Sequence, residues 1–174
     1  MTSPSLMRLH LIPTLERTQS MDQTPTSTDS MSVRGYVTVE VMHDDGRREV
    51  VEQSNVVTNV GRNNFASLLA EDISVFPSHI GIGTGTTAAA VTDTALGTEV
   101  DRNAFISQSA SAGVITYKAF FSKSEANGNT IAEVGLFDAA ASGNMFCRSI
   151  LSSTVAKTAS ISLSITWTIT LADA

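Results

Sequence analysis

The stretch Ser160-Ile161-Ser162-Leu163-Ser164-Ile165-Thr166-Trp167-Thr168-Ile169-Thr170-Leu171 alternates hydroxyl and apolar side chains without an error. Successive side chains of a strand point to opposite faces, so this period of two makes one face core and leaves the other with Ser and Thr alone. No charged residue interrupts Thr158–Ala172. Lys and Glu usually guard an exposed strand surface. An uncharged hydroxyl face therefore reads in two ways: a central strand covered by its neighbours, or a face or edge used in a subunit contact.

Outward from this strand the pattern persists. Runs at Asn103–Ala110, Val114–Ser122, Thr130–Asp138 and Met145–Leu151 are bounded by turn-forming residues and are expected to be strands. Asn127-Gly128 is the strongest hairpin signal, because both central positions of a type I′ turn need positive φ. Further upstream, Val37, Val39 and Val41 alternate with Thr38 and Glu40, Asp44-Asp45-Gly46-Arg47 supplies a turn, and Arg48–Glu52 returns, which describes a hairpin. After Gly61, residues Phe65, Leu68 and Leu69 at i, i+3 and i+4 predict a short amphipathic helix. His79–Gly83 reads as a strand, followed by a Gly/Thr/Ala-rich loop to Gly97. The sum is a mostly β chain: an antiparallel β-sandwich or barrel-like domain over residues 33–174 with one short α-helix. No repeat of fixed period is present, which weighs against propellers and solenoids.

Residues 1–32 differ in kind. Thr24-Pro25-Thr26-Ser27-Thr28-Asp29-Ser30 has no periodicity, and the segment cannot bury enough surface to fold alone, so it reads as an extended N-terminal arm. A flexible leader, with Met31 as the natural start in place of Met1, is the alternative. Leu6-Met7-Arg8-Leu9-His10-Leu11-Ile12-Pro13 is interrupted by charge and is not read as an export signal.

At 174 residues the chain suits one core, and its net charge of −6 lacks the basic footprint of nucleic-acid binding. No run approaches the roughly 18 apolar residues of a membrane helix. Charged residues are only 16% of the chain, while 22 serines and 21 threonines make up about a quarter, so hydroxyls dominate the polar surface. Cys147 is the lone cysteine, which excludes an internal disulfide and a cysteine-based zinc site.

Motifs that could carry chemistry fall short. Gly83-Thr84-Gly85-Thr86-Thr87-Ala88 fits the dinucleotide pattern G-x-G-x-x-A, but Thr86–Gly97 is too short and too rich in Thr to supply the following helix, so a tight backbone turn is expected. His10, His43 and His79 form no H-E-x-x-H or H-x-H pair, G-x-S-x-G is missing, and Asp44-Asp45 lacks the rest of a calcium loop. No catalytic, cofactor or metal residues are nominated, and the chain is expected not to be an enzyme. In Thr130–Asp138, alternation puts Glu133 on the face of Ile131 and Phe137. Buried there, its carboxylate needs a bond from Arg102 or Arg148, or from backbone N–H groups, and the pair Glu133–Arg102 is the nominated one.

Three strings, Ile80-Gly81-Ile82-Gly83-Thr84-Gly85-Thr86-Thr87, Leu96-Gly97-Thr98-Glu99-Val100-Asp101-Arg102 and Ile131-Ala132-Glu133-Val134-Gly135-Leu136-Phe137-Asp138, together resemble a set found in tailed-bacteriophage virion proteins. Asn55-Val56-Val57-Thr58-Asn59-Val60-Gly61 before the helix is similar too. The likeness spans about Gly35 to Leu171 and covers head decoration (cement) as well as tail-fibre or collar components. It implies a non-enzymatic structural protein located in the virion after synthesis in the host cytoplasm. Its partners would be the major capsid protein or other virion proteins, without nucleic acid, membrane or cofactor.

The chain lacks a long repetitive shaft, which favours a small coat component: a decoration subunit, homo-oligomeric and trimeric by the same likeness, bridging neighbouring coat subunits. The arm is expected to make that attachment through Leu6, Leu9, Leu11, Ile12 and Leu15. A tail, baseplate or tail-fibre adaptor component is the nearest alternative. A carbohydrate-binding β-sandwich stacking sugars on Tyr36, Tyr117 or Trp167 is the more distant one.

Overall fold

The computed structural model describes residues 31–71 and 75–173. The anchors Leu6, Leu9, Leu11, Ile12 and Leu15, and the rest of the arm up to Ser30, lie outside the described residues. Ten strands and one helix follow in the order β1 (Met31–His43), β2 (Arg48–Ser54), β3 (Val56–Val57), α1 (Asn59–Leu69), β4 (His79–Gly83), β5 (Glu99–Ala104), β6 (Ser107–Ser111), β7 (Val114–Phe121), β8 (Thr130–Phe137), β9 (Met145–Ala156) and β10 (Ile161–Asp173). They build two five-stranded antiparallel sheets, ordered β2-β1-β10-β7-β6 (sheet A) and β3-β9-β8-β4-β5 (sheet B).

β10 lies in the centre of sheet A, between β1 and β7, so the first of the two readings of its hydroxyl face holds. Its apolar face is paired in rows: Val37, Trp167 and Tyr117; Val39, Ile165 and Ala119; Val41, Leu163 and Phe121. These residues are buried together with Ile80, Ile82, Ile131, Val134 and Leu136 of sheet B in one core. Each fully buried aliphatic or aromatic side chain contributes about 1.5–3 kcal/mol, which makes this core the main source of stability. On its hydroxyl face Ser162, Ser164 and Thr168 are buried, Thr166 and Thr170 half-buried and Ser160 exposed.

β1 already includes Met31, which pairs with Asp173, two residues before the expected boundary at residue 33. The β1–β2 hairpin closes through Gly46 at φ 84 and an Arg47 N–H bond to the Asp45 carboxylate. α1 is capped by Thr58, whose hydroxyl accepts from the Gly61 N–H. Its buried stripe is narrower than the spacing predicts: Phe65 packs edge-on against Phe146, but Leu69 is 70% exposed.

Asn127-Gly128 is a correction. β7 and β8 belong to different sheets, so the residues between them form a crossing loop, with the Gly128 N–H bonded to the Lys157 carbonyl. Gly128 adopts positive φ at 82, but its partner in that conformation is Ala126 at φ 54 and not Asn127, so the type I′ pair does not form and the strands on either side diverge into different sheets. The type I′ geometry appears instead at Ala112-Gly113, with φ values of 50 and 76, between β6 and β7.

Candidate functional site

β8 is buried on both faces. Val134 and Leu136 face the core between the sheets, whereas Phe137 packs with Leu96 and Met145 in a second small cluster on the other side. What covers that outer side is the loop Thr84–Thr98, and Glu133 is what holds it down. The expected common face of Glu133, Ile131 and Phe137 does not extend to Ile131, which joins the main core; the β8–β9 pairing shifts register between Ile131 and Glu133.

The Glu133 carboxylate is fully buried and accepts five hydrogen bonds. Oε1 receives the Gly85 N–H at 2.9 Å and the Thr98 N–H at 2.8 Å. Oε2 receives the Gly97 N–H at 2.9 Å and the Arg148 guanidinium twice, from Nε at 3.0 Å and Nη2 at 2.8 Å. Arg148, 3% exposed, also donates to Asp93 at 2.7 Å and to the Thr87 carbonyl at 3.1 Å, so it ties the loop at two further points. Burial on its own would push the Glu133 carboxyl up, but the N–H groups of Thr98 and Gly97, then Arg148 and Gly85, outweigh it and hold the group below its ordinary value. Asp93 is likewise held low: burial opposes, while the Ala90 N–H and Arg148 prevail.

The glycines of the dinucleotide-like pattern now have a reason. A Cβ on Gly83 or Gly85 would sit 2.6 Å or 2.4 Å from Glu133 Oε1, too close for any side chain. The Gly83–Gly85 turn gives one N–H, that of Gly85, to an anion cradle that the N–H groups of Gly97 and Thr98 complete, and that anion is the chain's own carboxylate. Thus the three strings of the sequence resemblance meet at one place: Gly83–Gly85, Gly97-Thr98 and Glu133.

Arg102, the nominated partner, is elsewhere. Arg148, Gly135, Gly81 and Arg102 form one row across sheet B, on β9, β8, β4 and β5. Arg148 is therefore one strand from Glu133 and Arg102 two, about 10 Å at the usual strand spacing. The space above the two glycines is filled by the Phe137 ring and Leu96. Arg102 instead makes a two-pronged pair with Glu99, with both bonds at 2.7 Å, lies 3.4 Å above the Phe137 ring, and donates to the carbonyls of Ala139 and Ser142. It anchors the β8–β9 turn.

Chemically the Glu133 site is saturated. A carboxylate offers about four lone-pair positions, and five donors already occupy this one, leaving nothing for a substrate or an ion. An open hollow of about 350 Å³ beside Arg148, lined by Gln53, Asn55, Thr86 and Ala89, holds no second titratable group. Among the described residues no group of three His, Cys, Asp or Glu side chains could hold a metal ion, and no helix is long and apolar enough to cross a membrane. His43 bonds Glu49 beside the first turn, and His79 lies next to Ser78; His10 lies outside the described residues. Burial pushes the Cys147 thiol far above its ordinary value, as for an inert core residue. Of the aromatics considered for sugar stacking, Trp167 and Tyr117 are buried, the latter stacked on Phe105, and only Tyr36 is exposed.

Asp93 carried no sequence signal that joins it to this site, and buried Lys157, bonded to Asn127 Oδ1 and the Thr158 carbonyl, lies outside it. The available signal for the loop was the spacing of Gly83, Gly85 and Gly97 around a lone acidic residue in an apolar strand. No family model, curated protein or solved structure matches this chain.

Proposed function

We propose that this protein is a non-enzymatic structural component of a tailed-phage virion, most concretely a head decoration subunit that bridges neighbouring coat proteins. The observation that carries the reading is the convergence of the three virion-like strings on the saturated Glu133 lock. The residues most distinctive in the sequence hold a loop in place and have no bonding capacity left for a ligand. The sparse charge and the exposed apolar side chains of Phe76 and Ile106 support a molecule made to be covered by others.

The test is stoichiometry. Purified particles carrying this chain are quantified against their major coat protein, for the full chain and for one lacking Met1–Ser30. Hundreds of copies per particle for the full chain and loss of occupancy on truncation are expected. A few copies per particle would assign the chain to the tail or baseplate instead, and its absence from particles would end the virion reading.

A further inference from the structure

Among the described residues four strand edges are left at the rims of the two sheets, and three of them are guarded. β2 carries Arg48, Glu49 and Glu52, β5 carries Glu99, Asp101 and Arg102, and β3 has only two residues. Charge and shortness are the usual devices that stop an edge from pairing with another chain. β6 has neither. Its sequence Ser107-Gln108-Ser109-Ala110-Ser111 is exposed along its whole length, has no charge or proline, and runs in unbroken register with β7.

The surroundings of β6 are uncharged as well. From Asn103 to Tyr117 the chain has no ionisable group other than the buried Tyr117, and the nearest charge on the neighbouring strand is Lys118, opposite Ser107. Phe76, 60% exposed, lines hollows of about 440 and 520 Å³ along β6, and Ile106, 63% exposed, stands at its start. A net charge of −6 gives copies of the chain a net repulsion, so a contact between them is favoured where charge is missing.

We infer that β6 pairs edge to edge with β6 of a second copy, joining two A sheets into one continuous ten-stranded sheet. Because the other edges are guarded, the open one can meet only itself, which makes the contact two-fold and closed. The ladder fixes the register. Counted back from the two-residue Ala112-Gly113 turn, Ser111 and Ser109 bond inward to β7, so Gln108 and Ala110 turn their N–H and C=O groups outward. A two-fold axis through Ser109 then places Gln108 of one copy opposite Ala110 of the other, donor to acceptor at both ends. The same axis, perpendicular to the sheet, brings both Phe76 side chains to one face to bury apolar area beside the new ladder. This inference concerns the isolated chain and does not depend on its place in a particle.

The experiment is sedimentation velocity on the full chain across 1–100 μM, combined with amide hydrogen exchange. A dimer is expected, with the Gln108 and Ala110 amides slowed more than tenfold at high concentration. Ala110→Pro removes an N–H that the β7 ladder does not use, and Ser109→Lys adds the missing guard charge; both are expected to be monomeric with unchanged far-ultraviolet dichroism. A wild-type chain that stays monomeric, a trimer, or a dimer that survives both substitutions would overturn the inference. Protection of the two amides that does not depend on concentration would also overturn it, because the edge would then be covered from within the chain, for example by residues 1–30.

Discussion

The outer face of sheet B and the β6 rim of sheet A meet the same difficulty, exposed strand backbone and apolar surface, in opposite ways. Over sheet B the chain folds its own loop down, with Glu133 and Arg148 drawn inside and half-buried Asp93 at their rim, each bonded to the others or to backbone groups. At the β6 rim no other described residue covers the strand, and the strand itself carries no charge. The difference shows two uses of charge in a sparsely charged chain: some ions hold its own loop and turns, others guard the strand edges, and β6 has neither.

The largest effect is expected from breaking the lock. Arg148→Met leaves the Glu133 carboxylate buried without its cation and is expected to cost about 3–5 kcal/mol in denaturant unfolding. A double variant with Glu133→Gln should lose clearly less than the two single losses summed, since both act on one network; strict additivity would mean that the two side chains do not cooperate.

Acid should act on the same site. Glu133 and Asp93 are held below their unfolded values, near 4, so their stabilising contribution is complete above about pH 4.3 and is lost as the pH falls further toward their folded values. Urea midpoints measured from pH 7 to pH 3 should fall more steeply below about pH 4.3 for the wild type than for Glu133→Gln. Parallel curves would place the acid sensitivity elsewhere.

At the open rim the smallest change is expected. Ile106→Ser should alter the stability of the monomer by no more than about 0.5 kcal/mol, measured at a concentration where association is absent. A loss of several kcal/mol would show that this rim is part of the core and would erase the contrast with sheet B.

Strand periodicity made much of the fold legible. The alternation in Ile161–Asp173, the β1–β2 hairpin and the short helix all follow from spacing, because burial on one side repeats with the period of the backbone. What local spacing lacks is knowledge of neighbours in space. Asn127-Gly128 has the conformational preference of a hairpin turn, but the flanking strands go to different sheets. The need of Glu133 for a partner was readable from its place in an apolar strand. The choice of Arg148 over Arg102 depends on strand order β9-β8-β4-β5, which places one arginine next to Glu133 and the other behind the Phe137 ring. The open edge of β6 is likewise a property of strand order, invisible in Ser107–Ser111 read alone.

The loop over sheet B is hydrogen-bonded mostly through its main chain, by the amides of Gly85, Gly97 and Thr98 and the carbonyl of Thr87, with Asp93 as the side chain that joins them and Leu96 packed beneath. Thr86, Ala88, Ala90, Thr92 and Thr94 are exposed, and their small side chains have no part in that grip. The crest of this loop is therefore a rigid shelf whose decoration can be rewritten, suited to presenting a foreign epitope in a fixed shape.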